Sequence, residues 1–254
     1  MNPALLVVAL AAFPLSAAPL PPARAASVQE PASRSEGQRL YDLGDYAGAA
    51  AWYRQALQND PRDAALHYDL GNALFKSGQT GRAVASFQRA FDIRPRDADV
   101  RHNLDFALRR AGEELVPPGV PPLLFLAFHL FSERELAGLQ WLALWPFGLL
   151  AGLCLWRSSL RPRLLGWTLA AGLLWSAAGL WWLGVRGATP PRRGVIVAAS
   201  AEIRSGPGEN FNVSFTAPEG RRAQILSENG GWLEIGMLKE GVKGWLPAAA
   251  VEEL

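Results

Sequence analysis

The chain has 254 residues, half of them apolar, and a formal charge of only +2. That balance supplies no basic field of the kind nucleic-acid binding needs, so no nucleic acid is expected as a partner. A single cysteine, Cys154, excludes an internal disulfide, so any soluble domain must fold without one.

The N-terminal stretch Ala4–Leu15 is apolar and is followed by small residues and prolines. Ala23-Arg24-Ala25 supplies a small-x-small cleavage pattern, so residues 1–25 are expected to be a secretory signal peptide. Met1–Pro3 carries no Lys or Arg, which leaves an uncleaved N-terminal anchor as the alternative. Either form sends Ser27 onward out of the cytoplasm.

Residues 30–112 repeat with a period of 34. Gly37 matches Gly71, Leu40 matches Leu74, Gly44 matches Gly78, Ala49 matches Ala83, Tyr53 matches Phe87, Ala56 matches Ala90 and Pro61 matches Pro95. Small residues let paired helices approach, Gly44 and Gly78 permit the turns between them, and each proline stops a second helix. Leu70 has no counterpart in the first unit, where Glu36 stands instead. A third partial unit, Ala98–Arg110, places Val100, Leu104, Ala107 and Leu108 on one face and reads as a capping helix. These positions resemble the tetratricopeptide repeat. The resemblance implies an all-α array whose first helices line a concave, peptide-binding groove. By that resemblance the groove residues are Arg34, Gln38, Tyr41, Tyr68, Asn72, Phe75, Lys76 and His102. Asn72 suits a peptide backbone and Lys76 a carboxylate. The plainer reading of the same residues is a solvated helix face. The full charge set of the chaperone-tail-binding repeats is absent.

Residues 113–136 read as a linker and an interfacial segment. Gly112–Pro122 is rich in glycine and proline and is expected to be stiff and extended. Pro122–Leu136 is expected to be a helix lying at a membrane interface, or a re-entrant segment, because its apolar run is about half the ~20 residues of a span. Residues 137–185 carry two apolar stretches, Ala137–Trp156 and Leu164–Val185, separated only by Arg157–Arg163. So short a connection returns the chain, giving a transmembrane helical hairpin with both flanks on one side. Seven of the ten tryptophans lie between Trp141 and Trp182. Trp156, Trp181 and Trp182 suit an interfacial belt, whereas Trp175 is mid-span. Pro146 is expected to kink the first span. Gly148 and Gly152 form a small-residue pair, and Gly172, Ser176 and Gly179 lie on one face of the second span, expected to pack the two spans together or to meet a partner. Neither stretch holds an ionisable residue other than Cys154, which argues against transport or proton relay. Arg157, Arg161 and Arg163 in the loop balance Arg186, Arg192 and Arg193 on the outer flank, so the charge rule alone is a tie. The signal peptide breaks it and places both domains outside the cytoplasm.

Residues 192–254 change character. Gly194–Ala198, Arg222–Glu228, Trp232–Gly236 and Lys243–Leu246 read as strands, with turns at Gly206-Pro207-Gly208 and Asn229-Gly230-Gly231. Ile203-Arg204-Ser205-Gly206-Pro207, Gly220, Trp232 and Gly244-Trp245-Leu246-Pro247 resemble the bacterial SH3-like domain, with Leu246 where valine is usual. That resemblance implies an all-β barrel and ligands among cell-wall peptides or proteins. Trp245 is the candidate for its ligand face. The alternative for Trp232 and Trp245 is packing within the barrel.

No catalytic set, cofactor motif or metal-ligand spacing is legible; His67, His102 and His129 are scattered. The expectation is a non-enzymatic protein without cofactor. The whole order of signal peptide, repeats, two spans and SH3-like tail resembles BatE-type proteins of the bacterial aerotolerance (Bat) group. It implies a multi-pass inner-membrane adaptor with both domains periplasmic, working with von Willebrand A-domain membrane proteins and a MoxR-type ATPase. A peptidoglycan-binding anchor that recruits an envelope enzyme is the alternative.

Overall fold

The computed structural model describes residues 32–117, 119–188, 190, 192–237 and 241–254. The expected signal peptide lies outside the described residues. Among the described residues five helices come first: α1 (Ala32–Asp42), α2 (Tyr46–Asn59), α3 (Ala64–Lys76), α4 (Thr80–Ile93) and α5 (Ala98–Arg110). Asp45, Asp63 and Asp97 cap α2, α3 and α5, each accepting from first-turn N–H groups. Gly44 and Gly78 turn the chain between helices at φ of 80° and 82°. Ala49 and Ala83 are fully buried, as the close approach of paired helices demands. Gly37 and Gly71 face the rings of Tyr53 and Phe87. A Cβ on Gly71 would lie 2.6 Å from Phe87 Cδ1.

The segment after α5 is fitted to the array, where the sequence suggests a free-standing extended spacer. Leu115 and Glu113 are buried, and Val116 and Val120 pack on the repeat core. The cause is the apolar residues beside its prolines, Leu115, Val116 and Val120. The expected interfacial helix is two pieces. A short α6 (Pro122–Phe128) is followed by α7 (Glu133–Trp156). Ser132-Glu133-Arg134-Glu135 does not end a helix but starts one. Ser132 Oγ accepts from Glu135 N at 3.3 Å, and Glu135 accepts from Ser132 N at 2.9 Å.

α7 returns through a 3-10 turn (Ser158–Leu160) into α8 (Arg161–Ala188). Their 24 and 28 residues rise about 36 and 42 Å, enough for a hydrocarbon core of about 30 Å. Both are long and apolar enough to cross a membrane, and nearly all their surface is unburied. Trp175 is explained by the hairpin and not by the interface: it stacks on Phe147 at 5.7 Å. The two small-residue sets behave differently. Gly172 and Gly179 face Phe147 and Gln140 within the hairpin, whereas Gly148 and Gly152 have nothing within 4 Å and Ser176 is exposed.

The described residues of the tail form seven strands: β1 (Arg193–Ile196), β2 (Ser200–Arg204), β3 (Val213–Pro218), β4 (Arg222–Asn229), β5 (Trp232–Met237), β6 (Val242–Pro247) and β7 (Val251–Glu253). All pairings are antiparallel, in the order β3-β2-β6-β5-β4-β1-β7. The sheet is therefore open, which corrects the expected closed barrel. The reason lies in β7. It is three residues long, and it is drawn onto α4, where Leu254 packs on the repeat core and Arg89 holds Glu252. Ile203, Ile225, Leu233, Ile235, Met237 and Leu246 fill the inner face of the sheet.

Gly71→Ala is expected to lower stability by about 1–3 kcal/mol, because the added methyl meets the Phe87 ring in a closed core. Chemical denaturation followed by far-UV circular dichroism checks this.

Candidate interaction groove

The first helices of the repeats, α1, α3 and α5, bring most of the expected groove residues together. Tyr41 packs edge-on against Tyr46 at 5.1 Å. Burial raises its phenol pKa, helped by Tyr46, Tyr68, Asp42 and Asp69 nearby. Tyr68 and Asn72 are joined across helices by one residue: Asn103 Nδ2 donates to Tyr68 Oη at 3.0 Å and to Asn72 Oδ1 at 2.9 Å. Asn72 therefore spends its carbonyl on the fold, while its amide remains a potential donor. Phe75 packs on Phe106 at 5.5 Å, and the Arg110 guanidinium lies 5.8 Å from the Phe75 ring. Lys76 is exposed at the end of α3.

Other expected members stand apart. Gln38 is exposed and bonds within its own helix, to Asp42 at 2.8 Å. His102 is exposed, and α5 meets α3 through Asn103, Phe106 and Arg110 instead. The side chain of Arg34 lies outside the described part of α1. Asn103, Phe106 and Arg110 are the residues sequence reasoning misses. Phe106 carries the signal that would find it: an aromatic residue off the apolar face formed by Val100, Leu104, Ala107 and Leu108, left 56% exposed.

On the sheet, Trp245 and Trp232 are half-exposed on the outer face, opposite the packed core. Trp245 pairs with Arg204 on one side and Glu234 on the other. The Arg204 guanidinium donates to the carbonyls of Glu209 and Phe211 at 2.8 and 2.9 Å, which holds the loop between β2 and β3. Gly206 lies under the Phe211 ring. The arginine and glycine of the motif thus fix a loop beside Trp245.

The array and the sheet meet on the outward face of α4. Gly81 abuts the carbonyl of Ile196, and Gly220, at φ of 84°, abuts Ala111. Three ion pairs surround this contact. Arg193 meets Asp92 at 2.5 Å, Arg89 meets Glu252 at 2.5 Å, and Arg222 meets Glu113 at 2.7 Å. Burial raises the Asp92 carboxyl pKa, with Arg193 opposing. Glu113 is buried and also accepts from Arg222 N at 2.9 Å. Below, Phe125 of α6 stacks on Phe91 of α4 at 6.4 Å and lies tilted against His129 at 4.1 Å, and Arg96 pairs with Glu135 of α7. The array is thereby fixed to the start of the hairpin.

Known families agree with the helical part. Residues 37–78 match the TPR repeat family and residues 64–97 match the tetratricopeptide repeat. The matched stretch runs from α1 to the turn after α4, so this part of the chain is a tetratricopeptide repeat region. No curated protein matches the chain.

Glu113→Ala is expected to cost about 1.5–3 kcal/mol, because it strips a buried acceptor from a charged donor. Exposed Glu114→Ala is expected to stay within about 0.5 kcal/mol. Thermal unfolding checks both, and limited proteolysis of residues 112–121 should quicken only in the first.

Proposed function

We propose that the protein is a non-enzymatic membrane adaptor whose repeat groove holds a protein partner outside the cytoplasm. The observation that carries this is the open row of Tyr68, Asn72, Phe75 and Phe106 with Arg110 at its end. It offers aromatic faces, an amide donor and a cation on the concave side of a tetratricopeptide repeat region. The hairpin anchors that groove at the membrane, and the expected signal peptide favours a periplasmic face. The resemblance to BatE-type proteins points to von Willebrand A-domain membrane proteins as partners.

A second reading has its own observation. Half-exposed Trp232 and Trp245 on the outer sheet face, beside the Arg204-held loop, favour a peptidoglycan-binding tail that recruits an envelope enzyme.

Co-purification in mild detergent, followed by mass spectrometry, separates the two. Recovery of von Willebrand A-domain membrane proteins that drops at least about tenfold in Phe106→Asp is the expected result, with unfolding within about 0.5 kcal/mol of the unaltered chain, since the site is exposed. Wall enzymes lost in Trp245→Ala, together with pelleting on purified sacculi, support the second reading instead.

A further inference from the structure

We propose that the junction of repeat array and sheet forms a cationic cleft that takes the carboxylates of an acidic peptide segment. This deepens the adaptor reading and rests on it, because it names the chemistry of the partner.

The cleft has a volume of about 690 Å³, within the range that holds a short peptide or a small organic ligand. Lys76 and Phe75 enter from the end of α3, Arg110 from the end of α5, Thr80 from the start of α4, and Glu219 and Arg221 from the β3–β4 turn. Three cations therefore face one carboxylate. Lys76 and Arg110 stand one 34-residue repeat apart, so the array presents the same charge at the same place twice.

The contrast with the rest of the junction decides the reading. Arg89, Arg193 and Arg222 each hold a carboxylate across the domain contact. Among the described residues, Lys76 and Arg110 form no salt bridge. The fold thus neutralises the cations it uses for docking and leaves a separate pair for an incoming anion. The start of α4 adds to the field. Of α2 to α5 it alone lacks a side-chain cap, and Thr80 at its first position lines the cleft. Its unmatched N–H groups carry partial positive charge.

Peptide is favoured over a free anion by continuity. Phe75, Lys76 and Arg110 belong to both groove and cleft, so a chain lying along α3 and α5 runs into the cleft without a break. Side-chain carboxylates on adjacent residues then meet Lys76 and Arg110 from one side and Arg221 from the other.

The test is calorimetric titration of the full chain in lipid nanodiscs with N-acetyl tetraglutamate, with N-acetyl tetraglutamine and with inorganic phosphate. Tetraglutamate should bind and tetraglutamine should not. Lys76→Glu with Arg110→Glu should weaken binding by at least about tenfold, through lost charge-assisted hydrogen bonds. Arg221→Gln should weaken it independently, and Arg54→Glu, exposed on α2, should leave it unchanged. Circular dichroism confirms that each variant is folded. Absent tetraglutamate binding, equal binding of tetraglutamine, phosphate binding as tight as the peptide, or insensitivity to the Lys76/Arg110 or the Arg221 variants would each overturn the inference. Partner capture lost in Phe106→Asp but kept in the Lys76/Arg110 double variant would overturn the cleft while leaving the adaptor reading standing.

Discussion

The outward face of α4 is the surface on which the rest of this molecule depends. The second helix of a repeat pair ordinarily packs inward and leaves its back to solvent. Here Gly81, Ala85, Ser86, Gln88 and Phe91 are buried as well as Ala83, Val84, Phe87 and Ala90, so the helix is enclosed on nearly every side. Small and apolar residues buried on more than one face need covering on more than one side, and the charged residues between them, Arg89 and Asp92, are paired across the contact. α3 and α5 cover one side, the β1 and β7 strands a second, and Phe125 of α6 a third.

That demand explains why neither soluble unit is complete alone. The array stops at α5, without a second helix for its last unit. The apolar residues that extend its core come from elsewhere: Leu115 of the linker, Phe125 of α6, and Val195 and Leu254 of the sheet. The sheet, in turn, stays open because β7 is spent on α4. Small cores gain stability steeply with size, and joining two incomplete units is one way to enlarge them. The same contact fixes where the array sits, since α6 and the Arg96–Glu135 pair tie its lower end to the first turn of α7.

Much of this was legible in the sequence, and the parts that were not share a cause. The 34-residue period marks α1 to α4 because each matched residue answers a local packing need, as Gly71 does beneath Phe87. The spans are legible because a bilayer imposes length and composition directly. Four strands, β1, β4, β5 and β6, are legible from alternation and turn residues. β2 and β3 carry the same alternation, in Ala201 and Ile203 and in Val213, Phe215 and Ala217, but stand outside that reading, and β7, three residues long, has no room for it. The single helix expected over Pro122–Leu136 splits at Ser132 because the charged residues that interrupt its apolar run also cap a new helix. What no local pattern records is which surfaces meet. Glu113 looks like a linker residue until Arg222, over a hundred positions later, supplies its partner. Asn103 looks like a solvent-facing amide until Tyr68 and Asn72 converge on it.

The same geometry couples binding to domain arrangement. Lys76 and Arg110 belong to the array and Arg221 to the sheet, so an anion held among them contacts both units at once. Such a ligand binds the docked form and has no comparable site when the units part. It therefore stabilises docking by its own differential affinity, and docking raises its affinity by the same factor. The ion pairs on α4 set the starting point of that equilibrium. Arg193–Asp92 and Arg89–Glu252 are only partly screened from water, so they hold the units together modestly and in a salt-dependent way. Glu113, buried and bonded to both the backbone and the side chain of Arg222, holds them more firmly. A partner that fills the cleft adds to an arrangement already assembled and has no need to build it, which reduces the ordering cost that recognition otherwise carries.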